Sequence, residues 1–255
     1  AMEYAKAHWL AGGMVAAAAI LWLGWRFVLP AAAGWLVPLI PLSVEQQLAA
    51  QTLSWLQSNT ELAPSRLPAS RAATLQAQVA RLQPAASRYR YQVLLRHAPD
   101  IGPNAFALPG GTIVVTDQLL AVVTQPDEIL AILAHEAGHV EHRHGLRAAL
   151  ESAGALAALT LITGDSSSLT LALPMALANA SYSREHEREA DRFAYASLQA
   201  QGLSPCLLGY GLQRIEASLK QQHGDDAVSN GSWFASHPAT AERSHPLGQA
   251  CPPPP

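Results

Sequence analysis

The sequence predicts an α+β fold, mainly helical with one small β-sheet, behind a long apolar N-terminal segment. Three observations predict it. Apolar residues recur at helical spacing over most of the chain beyond Ser43. Only two short segments around Tyr89 and Thr112 read as strands. Trp9 to Leu29, WLAGGMVAAAAILWLGWRFVL, is apolar with a single charge, Arg26.

That first segment is roughly as long as a helix needs to be to cross a bilayer. Trp9, Trp22, Trp25 and Trp35 lie towards its ends, where indole rings favour the membrane interface, and Arg26 is near enough to one end to reach the headgroups. It reads as one transmembrane anchor. A cleaved leader ending at the small residues Ala31 to Ala33 and a buried core helix are the competing readings. Pro30, Pro38 and Pro41 turn Ala31 to Leu42 into a connection along the surface. Residues 1–42 therefore form anchor and connection, 43–247 one domain, and 248–255 a disordered proline-rich tail.

Within the domain, Val44, Leu48, Trp55 and Leu56 mark one amphipathic helix, and Leu75, Val79 and Leu82 a second, with Pro64 and Pro68 in the loop between. Tyr89, Tyr91, Val93 and Leu95 alternate as in a strand. Pro109-Gly110-Gly111 is a turn before a second strand, Thr112 to Thr116. Pro126, Asp127 and Glu128 open a long helix carrying Ile129, Leu130, Ile132, Leu133 and Leu146, with proline near N1 and acids in the first turn. Ala153 to Ile162 and Leu169 to Leu177 are too short to span a bilayer and read as buried helices. Further helices begin near Ser181 and after Ser204-Pro205, separated from the tail by a polar loop at Gly224 to Ser232.

Net charge is −3, from 16 Lys and Arg against 19 Asp and Glu, with no basic stretch, which excludes nucleic acid as an expected partner. Cys206 and Cys251 are too few for a thiolate metal site; one disulfide and two separate thiols both remain open.

The histidines are the informative residues. Four of the ten fall between His135 and His144. His135-Glu136-Ala137-Gly138-His139 lies within the predicted long helix, where residues four apart share a face and two imidazoles can reach one metal ion. Glu136 sits beside them, placed to take a proton from water without being a ligand. Zinc suits such nitrogen and oxygen donors and keeps a position open for water, so one Zn²⁺ per chain is expected. A solvated helix face is the bland reading; it fits poorly, because Ala131, Ile132, Ala134 and Ala137 imply burial, and buried polar groups need partners. Ser183 to Asp191, SREHEREAD, taken alone reads as a charged, solvated helix; beside the upstream His-Glu pair on a buried helix it offers the third ligand. Glu187 and Asp191 are four apart, whereas Glu185 and Glu189 have no aspartate at that offset. This favours Glu187 as ligand and Asp191 as the group that orients a ligating histidine through its other ring nitrogen. His142, His144, His186 and His223 read as structural or solvated.

Together these motifs resemble the zinc metallopeptidase family of HtpX, the CAAX prenyl endopeptidases, BepA and LoiP. The resemblance rests on the His-Glu-x-x-His helix, Glu187-x-x-x-Asp191 after Ser183-Arg184, Asn104 to Thr116 before the helix, His139-Val140 through Arg143-His144 after it, and Ser236-His237-Pro238 with Arg243. It covers roughly Ser43 to Leu247 and implies a zincin-like domain. It further implies that His237 lies near the zinc, either stabilising the oxyanion or filling the open position at rest, with Arg243 pairing a carboxylate nearby. The strand at Gly111, Thr112, Ile113 and Val114 is expected to offer its edge to an extended polypeptide substrate. The expected function is a membrane-anchored endopeptidase for misfolded or unassembled proteins, catalysed by Glu136 and His237. The expected location is the bacterial inner membrane, with the domain in the periplasm. The alternative is a latent or inactive protease-like domain that binds client proteins. Unlike HtpX and the prenyl endopeptidases, the chain has no series of membrane spans, and unlike BepA it shows no helical-repeat region.

Overall fold

The computed structural model describes residues 2–163, 169–223, 233–237, 246–248 and 250–252. Its helices are α1 (Met2–Leu23), α2 (Leu29–Leu36), α3 (Leu42–Asn59), α4 (Ala69–Ala80), α5 (Asp117–Val122), α6 (Pro126–Glu141), α7 (His144–Thr163), α8 (Leu169–Ala178), α9 (Arg184–Ala200), α10 (Cys206–His223) and the short α11 (Trp233–Ser236). The strands are β1 (Ala63–Pro64), β2 (Gln92–His97), β3 (Ala105–Leu108) and β4 (Thr112–Thr116).

A π-helical turn, Gly24–Val28, joins α1 to α2 without a break, so helix persists to Leu36 where a connection was expected. Pro30 falls in the first turn of α2, where its missing N–H costs little, and the wider turn before it absorbs the change of register. Among the described residues no helix is long and apolar enough to cross a membrane. Met14, Val15, Ile20 and Leu21 are nonetheless 66–71% exposed, while Ala33 and Val37 are buried. α2 lies against α7.

The spacing of α4 predicts its buried residues, Leu75 and Val79. In α3 the buried face is Glu45, Ala49, Thr52 and Leu56, rotated away from Val44 and Leu48. The cause is a polar knot. The carboxylate of Glu45 accepts from Tyr89 Oη at 3.1 Å and from the Gly110 N–H at 3.2 Å, and it pairs with Arg143 Nη2 at 3.0 Å. The same guanidinium donates from Nε to Tyr89 Oη at 2.8 Å and from Nη1 to the carbonyl of Val37. A buried charge needs such partners, and these draw Glu45 inward.

The sheet order is β1-β2-β4-β3. β4 pairs in parallel with β2 (Val93↔Ile113) and antiparallel with β3 (Ala107↔Ile113). Gly111, Thr112, Ile113 and Val114 are therefore not an edge, and the expectation that they bind substrate by edge pairing is corrected. Asn104 to Leu108 folds back through Pro109-Gly110-Gly111 and pairs along the side of β4 that was expected to be open. The turn requires glycine at Gly111: φ is +103°, and a Cβ there would lie 2.8 Å from the carbonyl oxygen of Arg90.

α6 runs through the centre, with every residue from Glu128 to Val140 buried between the sheet, α9 and α10. It ends at Glu141, earlier than its apolar pattern implies, because Arg143 adopts φ 55°, the left-handed region. Leu146 thus belongs to α7. Cys206 and Cys251 form a disulfide, and Tyr210 Oη donates to the carbonyl of Pro252 at 2.7 Å. The tail expected to be disordered from residue 248 is accordingly fastened to α10 as far as Pro252. Residues 253–255 and the expected loops at 164–168 and 224–232 lie outside the described residues.

Candidate metal centre

His135 and His139 project from one face of α6 towards α9. Ser183 starts α9, its Oγ accepting the His186 N–H at 3.2 Å, and the following turns aim Glu187 and Asp191 at that face. Gly138 sets the separation of the two helices. A Cβ at Gly138 would meet Ala190 Cα at 2.8 Å, so the backbones touch there and a carboxylate on α9 reaches the imidazoles. His237 follows α11, its N–H donating to the Trp233 carbonyl at 2.9 Å and its ring stacked on the Trp233 indole at 4.2 Å.

All four donors are buried. His135 Nε2 lies 3.0 Å from His139 Nε2, 3.6 Å from Glu187 Oε2 and 3.3 Å from His237 Nδ1. Glu187 Oε1 lies 3.3 Å from His139 Nε2 and 3.0 Å from His237 Nδ1. Four ligands at about 2.0–2.1 Å from a tetrahedral zinc stand about 3.3–3.4 Å apart. With Glu187 Oε1 as the carboxylate donor, four of the six edges measure 3.0–3.3 Å, and all four donor atoms lie within 4.8 Å of one another. The donor set and its geometry fit a single Zn²⁺. The fold brings His135, His139, Glu187 and His237 together, with His237 at the fourth corner.

Around these four, His135 Nδ1 faces Asp191 Oδ1 at 2.9 Å, and His237 Nε2 lies 3.7 Å from Glu136 Oε1. Burial alone would raise the Glu187 carboxyl, yet His237, His139 and His135 hold it well below the usual carboxylate range. Burial drives the His139 imidazole well below its ordinary value, as it does that of His144. Arg243 lies outside the described residues.

Four residues at or near the site were not picked out from the sequence. Tyr182 stacks on His139 at 3.9 Å, and its N–H donates to the Ser236 carbonyl at 3.0 Å, binding the His237 segment to the start of α9. Trp233 is fully buried against His135 and His237. Its place four residues before His237 was the available signal. His144, set aside as structural, is fully buried with Nδ1 2.9 Å from His139 Nδ1, and its Nε2 lies 2.8 Å from Glu189 Oε2. Nothing in helical spacing ties His144 to Glu189; only the fold does.

A helix presenting two histidines, a glutamate delivered by a second helix, and a buried carboxylate beside them make the centre of a metal-dependent peptidase. The profile of peptidase family M48 matches residues 69–250, and the chain belongs to that family. By family it is a metallopeptidase. It is 32% identical over 158 residues to the beta-barrel assembly-enhancing protease of Yersinia pestis, covering 56% of this chain and 30% of that one. It is 34% identical over 55 residues to the mitochondrial metalloendopeptidase OMA1 of Saccharomyces cerevisiae, covering 22% and 16% respectively. The chain thus spans less than a third of the length of either relative.

Proposed function

We propose that this protein is a membrane-anchored zinc endopeptidase that hydrolyses peptide bonds in extended segments of misfolded or unassembled proteins. The observation that carries the reading is the tetrahedral spacing of His135, His139 and Glu187 with the Glu136 carboxylate buried alongside. A zinc ion held by His135, His139 and Glu187 would supply Lewis acidity for the scissile carbonyl and for a water molecule. Glu136 takes the proton of the attacking water and delivers it to the leaving amine. Asp191 Oδ1, 2.9 Å from His135 Nδ1, is placed to orient that ring with its Nε2 lone pair turned to the metal. Glu187 is the third protein ligand.

Substrate is placed along β3, which has no strand beyond it among the described residues. A cleft of about 220 Å³ flanks that strand, lined by Phe106, Ala107, Leu177, Tyr182 and His237. Backbone pairing on β3 with an apolar side chain in the cleft accepts many sequences, as clearance of misfolded chains requires. The name of one relative couples proteolysis to protein assembly, which supports a quality-control role. The exposed apolar side chains of α1 support insertion in a membrane, and the Cys206–Cys251 bond supports an oxidising compartment such as the bacterial periplasm.

The position of His237 favours a second state of the same enzyme. With Nδ1 at the fourth corner, His237 closes the site at rest, and catalysis requires it to swing aside. Casein cleavage by wild type and Glu136→Gln, with and without chelator, tests the main reading. Wild type alone is expected to cleave, and only without chelator. A Glu136→Gln enzyme of near-normal activity with bound zinc would overturn the mechanism. His237→Ala separates the two roles of His237: activity rises if the ring blocks the site and falls if it stabilises the oxyanion.

A further inference from the structure

Beyond the ligands, two side chains that the peptidase reading leaves idle form a continuous path to the metal position. His139 turns Nε2 towards the site, and its other nitrogen, Nδ1, lies 2.9 Å from His144 Nδ1. Two ring nitrogens facing each other share one proton, so one donates and the other accepts. Which one donates is settled at the far side of His144, where Nε2 stands 2.8 Å from Glu189 Oε2. A carboxylate only accepts, so the His144 proton is on Nε2. The His144 ring is fully buried, packed 4.4 Å from His186 and 5.3 Å from His142. A neutral imidazole with its proton on Nε2 can only accept at Nδ1. His139 must then donate from Nδ1, which strips Nε2 of its proton and leaves the lone pair facing His135 Nε2 at 3.0 Å and Glu187 Oε1 at 3.3 Å.

We propose that His144 and Glu189 are positioning residues that fix the ligating tautomer of His139, as Asp191 does in one step for His135. The proposal rests on the metal reading of the site. The backbone is built for the contact: the left-handed Arg143, held by Glu45, Tyr89 and Val37, reverses the chain so that His144 lies back over His139. Glu189 is two residues past Glu187 on α9, so one helix supplies both a ligand and the acceptor that orients another. Unlike Asp191, the Glu189 side chain is 28% exposed, so its chemistry can be changed without opening the core.

The experiment has a metal-free arm and a metal arm. Nitrogen NMR of chelator-treated wild type with labelled histidine should show His139 protonated at Nδ1 and His144 at Nε2. Either ring in the opposite tautomer overturns the proposal. In the second arm, zinc affinity is measured by competition with a chromophoric chelator. Glu189→Lys offers only donors and should weaken zinc about 10–100-fold, the usual effect of losing an orienting partner. Glu189→Gln retains an acceptor oxygen and should stay within about threefold of wild type. Equal affinities for wild type and Glu189→Lys, or equal losses for Gln and Lys, overturn the proposal. If Glu189→Lys does not fold, the tautomers in wild type decide it. If wild type itself binds no zinc, the metal reading fails, while the NMR arm still decides the proton positions.

Discussion

α6 and the helical run from α1 to α2 are built from much the same residues, Ala, Leu, Ile and Val with scattered glycines, and they occupy opposite surroundings. On α6 thirteen consecutive residues, Glu128 to Val140, are buried. On α1 Met14, Val15, Ile20 and Leu21 stand 66–71% exposed, and Trp35 on α2 is 81% exposed. What separates them is the polar residues they carry. α6 holds Glu128, His135, Glu136 and His139 in the interior, each beside a polar group supplied by another element. The exposed stretch of α1 from Gly12 to Leu23 carries no titratable group at all. An apolar helix that brings polar side chains inside is committed to this protein's own core; the exposed stretch of α1 brings none and makes no such commitment.

The comparison can be broken with one pair of matched substitutions. Leu133→Ala, at a residue 1% exposed on α6, should cost about 2–5 kcal/mol in urea unfolding, transfer and cavity effects together. Leu21→Ala, at 66% exposure on α1, should change the same measurement by no more than about 0.5 kcal/mol. Equal costs would mean that α1 is packed as tightly as α6. Gly138→Ala should destabilise by about 1–3 kcal/mol, because its Cβ meets Ala190 Cα at 2.8 Å, and chelator competition should show weaker zinc binding as Glu187 is pushed away.

Acid should act on the buried side of the comparison, through His139 on α6 and His144 at the start of α7. His139 and His144 are held neutral by burial, whereas the unfolded chain protonates both as pH falls through about 6.5. The unfolded state then binds more protons, so stability present above that pH is lost below it, by up to about 1.4 kcal/mol per pH unit for each group. Urea titrations of the chelator-treated protein from pH 7.5 to 5 measure the slope, and a flat profile would contradict it. Smallest in stability, but sharpest for α1, is the pair Ile20→Asn with Leu21→Asn. It should leave unfolding within about 0.5 kcal/mol and reduce partition into phospholipid vesicles.

The metal centre was more legible in the sequence than the sheet that frames it. His135, Glu136 and His139 announce themselves because one helical turn brings ligands together locally, and Glu187 and Asp191 repeat the device. The sheet depends on non-local pairing. Period-two alternation marks Thr112 to Thr116 as a strand but carries no information on how many neighbours it has, so the pairing of β3 beside β4 is invisible in it. The buried face of α3 was misjudged for a similar reason. Glu45 looks like a surface residue until Arg143, 98 positions later by number, arrives to pair with it. Tyr182, Trp233, His144 and Glu189 escaped because their contacts cross between elements at no fixed spacing.

The Cys206–Cys251 bond closes a ring with a sequence separation of 45 residues, and His237 lies inside it. An imidazole carried on such a ring is tethered from both sides. If His237 swings aside as proposed, it would not diffuse away; it would compete for the fourth corner at an effective concentration in about the millimolar range, set by the length of its tether. On that proposal, closing and opening the site would be a first-order exchange within one molecule. Dilution does not shift it, and an incoming peptide must outbid a rival whose concentration never changes.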